Sequence, residues 1–63
     1  MNIGRNLTMI MYDKKISVRK LANNVGVSEA HISKIKKNER FPSIELASKI
    51  ANELGITVDK LLK

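Results

Sequence analysis

Eight lysines and arginines stand in the middle of this 63-residue chain, and the chemistry open to them is the binding of anions. Lys14, Lys15, Arg19, Lys20, Lys34, Lys36, Lys37 and Arg40 are set against only Glu29 and Glu39, so residues 14 to 40 carry the whole net charge of +6. Elsewhere Arg5, Lys49, Lys60 and Lys63 are matched in number by Asp13, Glu45, Glu53 and Asp59. A surplus confined to one segment points to one anion-facing surface, although charge alone does not separate nucleic acid from membrane or acidic protein. Reaction chemistry has far less to work with. One His, no Cys and no acidic cluster leave no adjacent base, nucleophile or metal-ligand set. The sequence therefore predicts no catalytic residue, no metal, no cofactor and no enzyme.

The elements that must carry this charge are short helices. Ile3, Leu7, Ile10 and Met11 fall at i, i+4, i+7 and i+8, which predicts a first helix from about Ile3 to Asp13. Val18, Leu21, Ala22 and Val25 repeat the pattern behind Ser17, an N-cap candidate. Gly26 suits the positive φ of a helix end, and Ser28 before Glu29 caps the next start. Ile32 and Ile35 give this third helix its buried side and leave its exterior polar and basic. Asn38 to Pro42 reads as a loop. Ser43 opens a fourth helix with Ala47, Ile50, Ala51 and Leu54, Gly55 ends it, and Thr57 caps a last short helix with Val58, Leu61 and Leu62. Met9 and Met11 are expected to pack, and one of Leu61 and Leu62 to reach the core. The expectation is a single all-α domain over residues 1 to 63, a compact five-helix bundle with a helix-turn-helix in helices two and three. With almost no aromatic residues and no disulfide, it must hold by aliphatic packing alone. No apolar run is long enough for a membrane span and no signal peptide is evident, so a cytoplasmic protein is expected.

Two helices joined by a turn of about three residues make demands at several positions. Leu21, Ala22, Val25, Gly26, Val27, Ile32 and Ile35 must each be apolar or small for the helices to cross closely, with Ala22 at the crossing point. The sequence meets all seven. At this point it resembles the phage-repressor and Cro type of helix-turn-helix, the lambda-repressor-like or XRE-type family. Residues 17 to 37, SVRKLANNVGVSEAHISKIKK, match its signature segment. Pro42-Ser43 and IANELGITVDKLL at residues 50 to 62 are similar to its fourth and fifth helices.

The resemblance implies a transcriptional regulator, in most cases a repressor, bound as a homodimer to double-stranded DNA at a pseudo-palindromic operator. By the same resemblance Ser28, Glu29, Ala30, Ser33 and Lys34 stand where relatives touch bases. Their chemistry agrees: Lys34 can donate to guanine, Glu29 can accept from cytosine, and Ala30 can pack on a thymine methyl. Lys14, Lys15, Ser17, Arg19, Lys36, Lys37, Asn38 and Arg40 are expected at phosphates. The sequence departs from the family pattern in three respects. Val18 replaces a Gln that braces DNA contacts, Met11 and Lys36 together replace an Arg–Glu pair, and Asn38 replaces a Gly. An antitoxin or restriction-system controller with a protein partner would share the fold, and a protein-interaction module would share the basic face. A membrane-surface role fits less well, because helix three lacks the large apolar face insertion requires.

Overall fold

The computed structural model describes residues 2–63. Its helices are α1 Ile3–Lys14, α2 Val18–Val25, α3 Glu29–Lys36, α4 Ile44–Leu54 and α5 Val58–Leu62. Among the described residues there is no strand, so the all-α, five-helix architecture expected from the sequence is the one found.

Every helix starts on a side-chain cap. Asn2, Ser17, Ser28, Ser43 and Thr57 each accept a hydrogen bond from the backbone N–H three residues on, at 3.0 to 3.1 Å. Such a cap contributes about 1 kcal/mol, a sizeable share in a domain this small. Between α2 and α3 the chain turns at Gly26 (φ 80°), and the N–H groups of Gly26 and Val27 both reach the Ala22 carbonyl.

The first helix ends differently from the expectation. It runs one residue past Asp13 to Lys14 and stops at Lys15, a non-glycine residue with φ 56°. Its Cβ makes that conformation unfavourable by roughly 1–2 kcal/mol. Two hydrogen bonds offset the cost, Lys15 N–H to the Tyr12 carbonyl and Ile16 N–H to the Met11 carbonyl, while Ile16 packs on the core. Neither Gly nor Asn marks the stop in the sequence, so the packing of Ile16 accounts for it.

The core is aliphatic. Leu7, Leu21, Ile32, Ile35, Ile50 and Leu61 are fully buried, one or two from each helix. α1 packs on α3, α4 and α5, α2 packs on α3 and α4, and α4 packs on α5. Met11 is buried as expected, but Met9 is 54% exposed, which corrects the reading of both methionines as packing residues. Position 9 lies about 200° round the helix from Leu7, away from the Ile3–Leu7–Met11 stripe. Leu61 is the member of its pair that reaches the core; Leu62 is half-buried. Side-chain amides tie distant helices together: Asn6 donates to the Leu61 carbonyl at 2.9 Å and Asn24 to Glu53 Oε1 at 2.7 Å.

Candidate nucleic-acid interface

The third helix turns one side to the core and the other outward. Ile32 and Ile35 are fully buried, whereas Glu29, Ala30 and Lys34 are exposed and Ser33 is half-buried. Ser28 opens the helix, and its hydroxyl is engaged by the His31 N–H at 3.1 Å. Glu29 in the first turn complements the positive end of the helix dipole, and Lys34 and Lys36 in the last turn complement the negative end. A row of short and long polar side chains is thus displayed on a rigid backbone.

A shallow groove brings the two halves of the motif together. Ser17, Arg19, Lys20 and Asn23 of the α2 segment line it with Val27, Ser28 and Glu29, and Ala22 forms part of its floor. Ala22 is almost wholly buried there, at the point where a larger side chain would separate the helices. A neighbouring depression holds Lys14, Lys15, Ser17 and Lys20. Lys14, Lys15, Ser17 and Arg19 therefore gather on a continuous surface beside the start of α3. Lys20 and Asn23 belong to the same surface; the sequence counts Lys20 among the basic residues without assigning it a contact and leaves Asn23 out. For Asn23 the signal was available, since it stands one helical turn beyond Arg19.

The remaining candidates for phosphate lie at the other end of α3, some 12 Å along its eight residues at 1.5 Å each. Lys37, Asn38 and Arg40 are exposed there. Lys36 is half-buried, because it follows the buried Ile32 by one turn and shares its side of the helix. Asn38 takes the left-handed conformation (φ 60°) that suits a residue in place of Gly. Its side chain, expected at a phosphate, turns to α1, where Oδ1 accepts the Gly4 N–H at 3.0 Å and Nδ2 donates to Asn2 Oδ1 at 2.9 Å. Val18, at the position of the missing Gln, packs against the core and offers no polar brace.

Electrostatically the surface is unneutralised. Among the described residues the one ion pair is Lys63–Asp59 at 3.3 Å, on α5, so the cations of residues 14 to 40 have no carboxylate partner. Among the same residues no three His, Asp or Glu side chains are grouped to hold a metal ion, and no helix is long and apolar enough to cross a membrane.

A two-helix unit with this turn, this crossing and an outward polar second helix has the geometry of a helix-turn-helix. The family model described as helix-turn-helix matches residues 11–61. The chain belongs to the helix-turn-helix family. Three solved structures are similar to it over at least 95% of its length. The master regulator for biofilm formation SinR, solved in complex with DNA, is 31% identical, with a TM-score of 0.89 over 97% of this chain and 98% of that one. SinR is a Bacillus subtilis protein. The clp gene regulator ClgR from Corynebacterium glutamicum is 28% identical with a TM-score of 0.93, over 97% of this chain and 65% of the ClgR chain. The restriction-modification controller protein C.AhdI from Aeromonas hydrophila is 23% identical with a TM-score of 0.90, over 95% of this chain and 91% of that one; this is a likeness of fold alone. None of the curated protein sequences compared with the chain matches it significantly. In helix-turn-helix proteins the second helix of the pair enters the major groove while the first crosses the backbone.

Proposed function

We propose that this helix-turn-helix protein is a sequence-specific transcriptional regulator, acting as a repressor, that binds double-stranded DNA as a homodimer at a pseudo-palindromic operator. The observation that carries the reading is the outward face of α3, flanked at its two ends by separate groups of unpaired cations. A duplex presents that pattern in reverse, with base edges in the major groove and a phosphate strand on either side. SinR, a relative solved in complex with DNA, supports the DNA-binding part of this reading.

In this reading Lys34, Glu29 and Ala30 read base edges, with Ser28 and Ser33 at shorter range. Lys14, Lys15, Ser17 and Arg19 meet one strand, and Lys36, Lys37 and Arg40 meet the other. Two protomers then address half-sites about one helical turn, ~34 Å, apart. Selection of sites from a randomised duplex pool at near-physiological salt tests the proposal, because that salt suppresses purely electrostatic binding. Enrichment of a two-fold symmetric sequence is expected. Binding that survives only at low salt, with no sequence enriched, would overturn it.

A further inference from the structure

The first turn of a helix leaves N–H groups without intrahelical partners. In α1 the Arg5 N–H goes to Asn2 Oδ1, its own cap, at 3.0 Å. The Gly4 N–H goes to Asn38 Oδ1, 34 residues away, at 3.0 Å. The same Asn38 amide then donates from Nδ2 to Asn2 Oδ1 at 2.9 Å, so both of its polar atoms hold the start of α1. The backbone around it is closed as well, with Asn38 N–H on the Ile35 carbonyl at 3.0 Å and Glu39 N–H on the Lys34 carbonyl at 2.9 Å.

Gly4 makes the approach possible. A Cβ at that position would stand against the Lys36 carbonyl oxygen and 2.8 Å from Asn38 Oδ1. Only glycine lets the last turn of α3 sit directly on the first turn of α1. Asn is correspondingly apt at position 38, since it tolerates φ 60° and supplies one acceptor and one donor where Gly would supply neither. On either side of this anchored residue stand Lys37 and Arg40, exposed and without carboxylate partners among the described residues.

We propose that Asn38 is a positioning residue for DNA binding, which ties the loop after α3 to α1 and thereby places Lys37 and Arg40 against phosphates. The inference rests on the DNA-binding reading above. A loop held before binding loses less freedom on binding, so the tie acts through affinity and through the number of phosphates met.

The test compares the wild-type chain with Asn38→Gly, Asn2→Ala and Gly4→Ala on a mixed-sequence duplex, over a salt series below every variant's unfolding transition. Asn38→Gly keeps the left-handed backbone while deleting the amide, and Asn2→Ala removes the acceptor for Nδ2. Both are expected to bind about three- to tenfold more weakly, with the salt slope shallower by about 0.9 for each phosphate lost. Gly4→Ala should do the same if it folds. Amide hydrogen exchange at Gly4 should quicken in Asn38→Gly. A purely structural tie would lower the unfolding temperature and leave the salt slope of the folded variants unchanged, and that result overturns the proposal. Binding weakened in Asn38→Gly but not in Asn2→Ala, with the salt slope unchanged in both, overturns it too, by making Asn38 a direct, uncharged phosphate ligand. Failure of the wild-type chain to bind duplex at all overturns the DNA reading itself, and the positioning role falls with it, whereas Gly4 exchange then still reports the tie.

Discussion

The amide of Asn38 satisfies the backbone N–H of Gly4 across 34 residues of sequence. One end of the exposed basic surface is thereby joined to the first turn of a helix that carries none of the residues expected to read bases. Two kinds of glycine result. Gly4 is required by what lies beside it, whereas Gly26 (φ 80°) has open space for 4 Å around the place a Cβ would take and is required by its own backbone angle.

These two requirements respond differently to substitution. Gly26→Ala should cost roughly 1–2 kcal/mol through left-handed strain alone, and Gly26→Asn should recover part of it, because Asn tolerates that region. Gly4→Asn should recover nothing relative to Gly4→Ala, since its obstacle is steric. Thermal unfolding of the four variants checks the contrast. Equal recovery at both positions would contradict the close approach of Gly4 to α3.

Lys34 and Arg19 should separate specificity from affinity. Lys34→Ala is expected to relax preference at one base position by about 1–3 kcal/mol, while Arg19→Ala weakens all sequences about equally and lowers the salt slope by about 1. Parallel titrations on selected and random duplexes measure both. Matching losses on the two duplexes for Lys34→Ala would remove it from base reading.

Ser28 both caps α3 and stands at the expected base-reading end. Ser28→Ala should lower stability by about 1 kcal/mol, and Ser28→Asp should restore the cap. The added carboxylate should nonetheless weaken DNA binding, because it lies in the groove shared with Arg19 and Lys20. Denaturant unfolding and duplex titration of the same two variants check the divergence; recovery of both properties in Ser28→Asp would place Ser28 away from the DNA.

Ile35 is fully buried beneath α3. Ile35→Ala should cost about 2–5 kcal/mol, which approaches the whole stability of a 63-residue domain, roughly 3–9 kcal/mol at the usual 0.05–0.15 kcal/mol per residue. Circular dichroism should show a large unfolded fraction at 37 °C. A fully folded Ile35→Ala with an unchanged transition would show that the core closes over the lost volume.

Much of the architecture is legible in local chemistry. Ser17, Ser28, Ser43 and Thr57 begin their helices where N-cap residues precede apolar periodicity, and Gly26 and Gly55 end theirs with positive φ. The aliphatic stripes of Leu21, Ile32, Ile35 and Ile50 enter the core as their spacing requires. Each of these depends on neighbours within about one helical turn, which a sequence displays directly. The outward side of α3, with Glu29, Ala30 and Lys34 exposed, follows from the same spacing.

What the sequence by itself determined, then, is the five helices, the helix-turn-helix and the stretch of chain that holds the charge, because periodicity, capping and charge are local properties. Only the tertiary structure decided that Lys15 takes a left-handed angle, that Lys20 lines the groove, and that Asn38 turns its amide to Asn2 and Gly4. Each of these depends on two segments meeting after the chain has folded back on itself. A hydrogen bond or a steric contact across 34 residues leaves no periodic trace in the sequence, since its partners are chosen by the packing of α1 on α3.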